Sequence, residues 1–150
     1  MKKGFVLIVF YFVGLVNIYS QLHEIQIEIE NIENSGTAYI AIYDGSKSFE
    51  KDNGKKSADK QMYIKSIVEK VNTGRFIKRI EIEEGVYAIS LFIDSNGNKK
   101  LDKNLIGIPT EQYGFSNNAV GFLGKPTFKN ASFKLIKDSK QIIKLKWRIK

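Results

Sequence analysis

The stretch HEIQIEIENI, His23 to Ile32, alternates polar and apolar residues almost without interruption. Ile25, Ile27 and Ile29 fall on one face, and Glu24, Gln26, Glu28 and Glu30 on the other. That period of two is the mark of a strand with one face in a core and one in water. The same reading extends outward. Asn34-Ser35-Gly36 makes a turn, and Thr37 to Tyr43 is apolar enough for a central strand. Asp44 to Lys60 reads as a long polar loop from which Phe49 reaches into the core. Tyr63 to Val71 could be a strand or one short helix, and its β-branched content favours the strand. Arg75 to Ile82 follows, with Phe76, Ile80 and Ile82 apolar. Glu84-Gly85 turns into VYAISLFI, Val86 to Ile93, the most hydrophobic strand and the expected centre of a sheet. Ala131 to Ile136 and Ile142 to Ile149 are expected to pair as a hairpin across Asp138-Ser139-Lys140.

This pattern predicts an all-β fold: an antiparallel β-sandwich of about seven strands with Greek-key connections, immunoglobulin-like or transthyretin-like. One long loop follows the central strand. The disulfide of antibody domains is missing, since the chain has no cysteine. Trp147 on the last strand has two readings, core residue or ligand platform.

Residues 1–20 read as a signal peptide: Lys2 and Lys3, then apolar Gly4 to Tyr19, then Ser20. Cleavage is expected before Gln21. The apolar run is shorter than the roughly 20 residues that span a bilayer, so no integral span is expected after cleavage. Residues 21–150 then form a single domain, with the formal charge falling from +8 to +6 as Lys2 and Lys3 are lost. Such a length folds without disulfides, which fits bacterial export to the periplasm or exterior. The absence of cysteine also removes thiol catalysis and thiolate metal sites. Lysines alternate outward on strands (Lys134, Lys137, Lys144, Lys146) or sit in loops (Lys55, Lys56, Lys99, Lys100). That spread suits solvated faces and weak attraction to anionic surfaces rather than nucleic-acid binding.

The candidate site is the run DSNGNKKLDKNLIGIPTEQYGFSNN, Asp94 to Asn118. Asp94, Asn96, Asn98 and Asp102 stand at relative positions 1, 3, 5 and 9, and Lys100 at position 7 offers a main-chain carbonyl. Oxygen donors so spaced can wrap a hard cation at about 2.3–2.6 Å, which favours Ca²⁺. The glycine and the bidentate glutamate of an EF-hand loop are replaced by Lys99 and Leu105. With two carboxylates and three nearby lysines, affinity is expected to be weak, roughly 0.1–1 mM. The other reading is a strand-ending turn closed by Asx hydrogen bonds, with no metal. Further along, Glu111, Tyr113, Phe115, Asn117 and Asn118 suit a carbohydrate or peptide surface. They suit equally an Ω-loop whose aromatic rings fold back onto the sandwich.

The whole segment resembles the bacterial domain of unknown function 2141 family. The resemblance runs through Asp94, Asn96, Asn98, Asp102 and Asn104, then Gly107 to Pro109, Glu111 and Tyr113 to Asn118. It continues through Gly124, Pro126, Phe128 and Ala131. It implies an exported β-sandwich with no settled activity and supplies no catalytic residues.

An enzyme is not expected. His23, the single histidine, lies near the start of the mature chain, and serine catalysis lacks an evident base. The carboxylate pairs Asp94 with Asp102 and Asp102 with Glu111 flank a turn rather than a cleft. The expected function is a monomeric, exported binding or interaction module acting through the 94–118 loop on an envelope glycan or protein partner. The alternative is a structural or accessory scaffold with no small-molecule ligand, its 94–102 segment a plain turn.

Overall fold

The computed structural model describes residues 21–52, 62–122 and 124–146. The expected signal segment, residues 1–20, and Trp147 lie outside the described residues. The fold is all-β, two sheets packed face to face. Sheet one has the order β4-β1-β8, built from β1 (Leu22–Ile32), β4 (Gly74–Glu83) and β8 (Ser139–Lys144). Sheet two has the order β3-β2-β5-β6, from β3 (Lys65–Val71), β2 (Gly36–Tyr43), β5 (Gly85–Asp94) and β6 (Tyr113–Phe115). A short β7 (Phe133–Leu135) also pairs with β5.

The alternation in β1 is realised as read. Ile25, Ile27 and Ile29 are fully buried and meet Ile40, Ile42, Ile89, Leu91 and Ile93 of the opposing sheet. Each such side chain contributes roughly 1.5–3 kcal/mol of burial free energy. On the outer face of β1, Glu28 is buried beneath its neighbours. Lys140 and Arg75 flank it at 2.5 and 3.0 Å, and those contacts hold its pKa below the ordinary glutamate value.

Two expectations are corrected. The predicted hairpin of Ala131–Ile136 with Ile142–Ile149 does not form. Phe133–Leu135 pairs antiparallel with Gly85–Tyr87 in sheet two, and Ser139–Lys144 crosses to sheet one. There β8 runs parallel to β1, Ile25 to Glu30 beside Ser139 to Lys144, so the sandwich is not wholly antiparallel. The reason is packing. Leu135 and Ile143 are both fully buried, and each is placed in the core from a different sheet. Asp138 is a corner rather than a hairpin turn: its Oδ1 accepts the Glu24 N–H at 2.9 Å and docks the incoming strand on β1.

The second correction is α1 (Ser46–Lys51), a helix inside the segment read as a loop. Its Phe49 is fully buried, in a second core on the outer face of sheet two. Tyr43, Ala88, Phe115, Ala119 and Ala131 complete that core, and Phe128 of α2 (Phe128–Ala131) packs against it. Around Tyr43 and Ala88 sheet two is therefore covered on both faces, which fits the near-continuous apolar character of β2 and β5 there.

The sheets are tied at one edge where Lys146 and Tyr113 exchange backbone hydrogen bonds of 2.9 and 3.3 Å. Gly114 permits this approach, because a Cβ there would stand 2.6 Å from Cγ2 of Ile143. Gly114→Val is expected to lower the thermal midpoint by about 5–10 °C through overpacking. A calorimetric scan showing no loss would mean that β6 and β8 do not meet as described.

Candidate functional site

The 94–118 loop is held by its own side chains. Asp94 is buried at the end of β5, where Oδ1 accepts the Gly97 N–H at 2.6 Å and Oδ2 accepts the Lys99 N–H at 2.8 Å. Asn96 Oδ1 and Asn98 Oδ1 accept the N–H groups two residues on, at 3.0 and 3.1 Å, as Asx turns. Both side-chain amides then donate to Oδ2 of Asp102, at 2.6 and 2.7 Å. These amides, and the Lys100 ammonium 3.8 Å from Oδ1, keep the Asp102 carboxyl below its ordinary pKa. The structure thus gathers Asn96, Asn98, Lys100 and Asp102, with amide hydrogens and an ammonium turned towards the carboxylate. Among the described residues, no three His, Asp or Glu side chains converge as a metal cage.

Glu111 reaches back into that turn and holds both of its ends. Buried at the base of the loop, its Oε1 accepts the Ser95 N–H at 2.9 Å and hydroxyl at 3.2 Å, and Oε2 accepts the Asp102 N–H at 3.2 Å. Its neighbour Gln112, not singled out from the sequence, is a second buried clamp. It accepts from the Glu33 N–H at 2.8 Å and donates to the Asn31 carbonyl at 2.7 Å.

The Ser-Asn-Asn run is a set of staples. Ser116 Oγ accepts the Ile89 N–H at 2.8 Å and donates to the Ala131 carbonyl at 2.6 Å. Asn117 donates to the Ser132 carbonyl at 2.7 Å, and Asn118 bridges β8 by donating to Ile142 and accepting from Lys144. Both asparagines adopt positive φ, 57° and 51°, a conformation asparagine tolerates better than most residues. Beyond these staples the loops project apolar side chains outward: Leu105, Ile106 and Phe122 are almost wholly exposed. Asn104 closes the turn behind Leu105 and Ile106 by accepting the N–H groups of Ile106 and Ile108.

Tyr113 and Phe115 lead to a feature the sequence did not disclose. Register across β3, β2, β5 and β6 aligns Val68, Tyr39, Phe92 and Tyr113 in one row on the outer face of sheet two. The next row is Ser66, Ala41, Ser90 and Phe115. Tyr39 and Phe92 stack at 5.1 Å with planes 14° apart. The small side chains of the second row form the floor of a trough of about 180 Å³. Leu101, Lys103, Gly107 and Pro109 of the 94–118 loop roof it. Tyr43, Tyr63 and Lys125 line its far end.

At that end Lys125 donates to the Phe49 and Asp52 carbonyls at 2.5 and 3.3 Å, satisfying groups left open at the end of α1. Its ammonium lies 4.0 Å from the Phe49 ring centroid and 3.7 Å from Asp52 Oδ2. Burial lowers the Lys125 pKa, Asp52 opposes the shift, and repulsion from Lys103 adds to it. The Tyr43 hydroxyl donates to Asp52 at 2.5 Å, and burial drives its pKa far above the ordinary tyrosine value. His23 lies elsewhere, buried on the inward face of β1.

Among the described residues, no helix is long and apolar enough to cross a membrane. No curated protein and no solved structure matches the chain. A family model does match it, over residues 27–144, from the second half of β1 to the last residue of β8. The span takes in both sheets, the Asx-closed turn, the Ser-Asn-Asn staples and the trough, and the chain belongs to that family, the uncharacterised proteins conserved in bacteria of DUF2141.

Proposed function

We propose that the chain is an exported binding module of the bacterial envelope or exterior, with the 94–118 loop and the trough beneath it as its contact surface. One observation carries this reading: residues of the loop line an open, aromatic-walled cavity on the outer face of sheet two, beside its second core. Protein interiors are packed to near-crystalline density, and a fold selected for stability alone would fill that space. Larger residues at 41, 66 and 90 would do so. Rigid walls with few polar groups are what small-ligand sites require. An envelope glycan or protein remains the class of macromolecular partner that the loop itself would meet.

The scaffold reading has one observation of its own, the exposed Leu105, Ile106 and Phe122. Glycan and small-molecule arrays, beside partner capture from envelope extracts, separate the two with Ser90→Phe and Leu105→Ser. Loss of ligand in Ser90→Phe supports the binding module. Capture of a partner that ignores Ser90→Phe but fails in Leu105→Ser moves the scaffold to the front.

Ca²⁺ is proposed as a weak stiffener of the same loop. A cation would compete with two amide hydrogens on Asp102, in keeping with a weak affinity of roughly 0.1–1 mM. A ligand that binds only the folded state raises the thermal midpoint with concentration. After chelator treatment, millimolar CaCl₂ is expected to raise the midpoint by about 2–5 °C, and the rise is expected to vanish in Asp94→Ala. An equal response in both proteins, or none, would leave the segment as Asx-turn chemistry without metal.

A further inference from the structure

We propose that two loop tips beside the trough form a docking surface for an anionic lipid bilayer, with Leu105, Ile106 and Phe122 entering the acyl boundary and Lys99 and Lys100 meeting the headgroups. The inference goes beyond the trough reading and stands without it.

The first tip is a small hairpin. Its legs are joined where the Thr110 N–H donates to the Asp102 carbonyl at 2.8 Å and the Asn104 N–H donates to the Ile108 carbonyl at 2.9 Å. The Gly107 N–H closes the apex on the Asn104 carbonyl at 2.9 Å, and Asn104 Oδ1 accepts from Ile106 and Ile108. Leu105 and Ile106 stand at this closed apex, the first almost wholly exposed and the second 78 % exposed. Because these N–H groups are bonded within the hairpin, they need no water when the tip enters the boundary. Phe122 stands on the second tip, also almost wholly exposed. Gly121 beside it packs so closely on Gly124 that a Cβ would meet that carbonyl oxygen at 2.3 Å. Gly107 and Gly124 both line the trough, so the two tips flank one mouth.

Shape argues for a bilayer rather than a protein. Two convex tips would need two matched pockets in a rigid partner, whereas lipid flows round each of them. Leu, Ile and Phe are also not the Trp, Tyr and Arg that dominate protein hot spots. Charge then sets the lipid class. Lys99 and Lys100 are exposed on the same loop, and from Lys103 to Lys137 the one acidic residue is Glu111, which is buried. The exposed side-chain charges of that stretch are therefore positive, which suits an anionic headgroup layer.

The chain has no cysteine, so a single Leu105→Cys, Phe122→Cys or Ile77→Cys can carry an environment-sensitive dye. Ile77 is exposed on β4 of sheet one and serves as the control. The labelled full chains are mixed with vesicles of equal parts phosphatidylglycerol and phosphatidylcholine. The dyes at positions 105 and 122 are expected to shift to the blue and to be quenched by spin-labelled acyl chains, while the dye at 77 stays as in water. Read from the same two dyes, pure phosphatidylcholine should bind about tenfold more weakly. Lys99→Gln with Lys100→Gln should lower the affinity for the mixed vesicles about tenfold. All these are surface substitutions expected to leave the fold intact. Dyes at 105 and 122 that stay in water, or a shift at 77 as large as theirs, overturn the proposal. Equal affinity for the two kinds of vesicle overturns the anionic assignment. Capture of a protein, a second copy of this chain included, that fails in Leu105→Ser while vesicles are ignored gives the tips to a protein partner instead.

Discussion

Phe49→Ala is expected to lower the thermal midpoint by roughly 10–20 °C, the largest loss for any single truncation near the site. Phe49 is fully buried and makes edge contacts with Tyr43, Phe115 and Phe128, at centroid distances of 5.3, 6.0 and 5.9 Å. Truncating such a ring costs about 3–5 kcal/mol, transfer and cavity terms together. For a domain of this size each kcal/mol moves the midpoint by about 3–5 °C. The loss should also reach the trough. The Lys125 ammonium rests against the Phe49 ring, and removing that ring admits water to the wall the lysine lines. Calorimetry checks the first part, and amide exchange at Tyr43 and Phe115 the second. A midpoint loss under about 5 °C would mean the outer face of sheet two is not a true second core.

Glu111 gives the second large effect, and the informative variant is the isosteric one. Both carboxylate oxygens accept from donors: Ser95 on one side, Asp102 on the other. Glutamine keeps the shape but turns an NH₂ towards one of those N–H groups. A buried donor left without an acceptor costs about 1–3 kcal/mol. Glu111→Gln is therefore expected to destabilise by about that amount, and Glu111→Ala, which orphans both sides, by about 2–4 kcal/mol. Chemical denaturation at constant slope measures both. Hydrogen exchange at Ser95 and Asp102 should quicken in each variant while β1 is unaffected. A glutamine variant as stable as the parent would show that water or another group replaces the carboxylate, and that Glu111 does not organise the loop.

Much of the sandwich was legible in sequence because its cause is local. Alternation at Ile25, Ile27 and Ile29 and the apolar run of β5 state which faces are buried. The apolar character of β2 even carried a trace of two-sided cover, and Phe49 was read as a core residue without its helix. What failed was pairing. The residues around Asp138 look like a hairpin turn, and nothing nearby in sequence reveals that Glu24, more than a hundred positions earlier, supplies the donor that makes them a corner. The trough was hidden for the same reason. Ala41, Ser66 and Ser90 are unremarkable one at a time and form a floor only once three strands lie in register. The loop was the reverse case: the donors and turn residues of Asp94 to Asp102 are neighbours in sequence and legible there, whereas Tyr113–Phe115, read as loop, pairs with β5 as a strand.

The parallel pairing of β1 with β8 has a mechanical consequence. Among the described residues the first and last strands are neighbours, joined through six consecutive register pairs from Ile25 with Ser139 to Glu30 with Lys144. Tension drawn through the two ends of the chain runs along these strands in opposite senses, and it loads the ladder in shear. All of its hydrogen bonds must then fail together, where an antiparallel terminal pair would unzip one bond at a time. A domain wired this way holds its shape under pull.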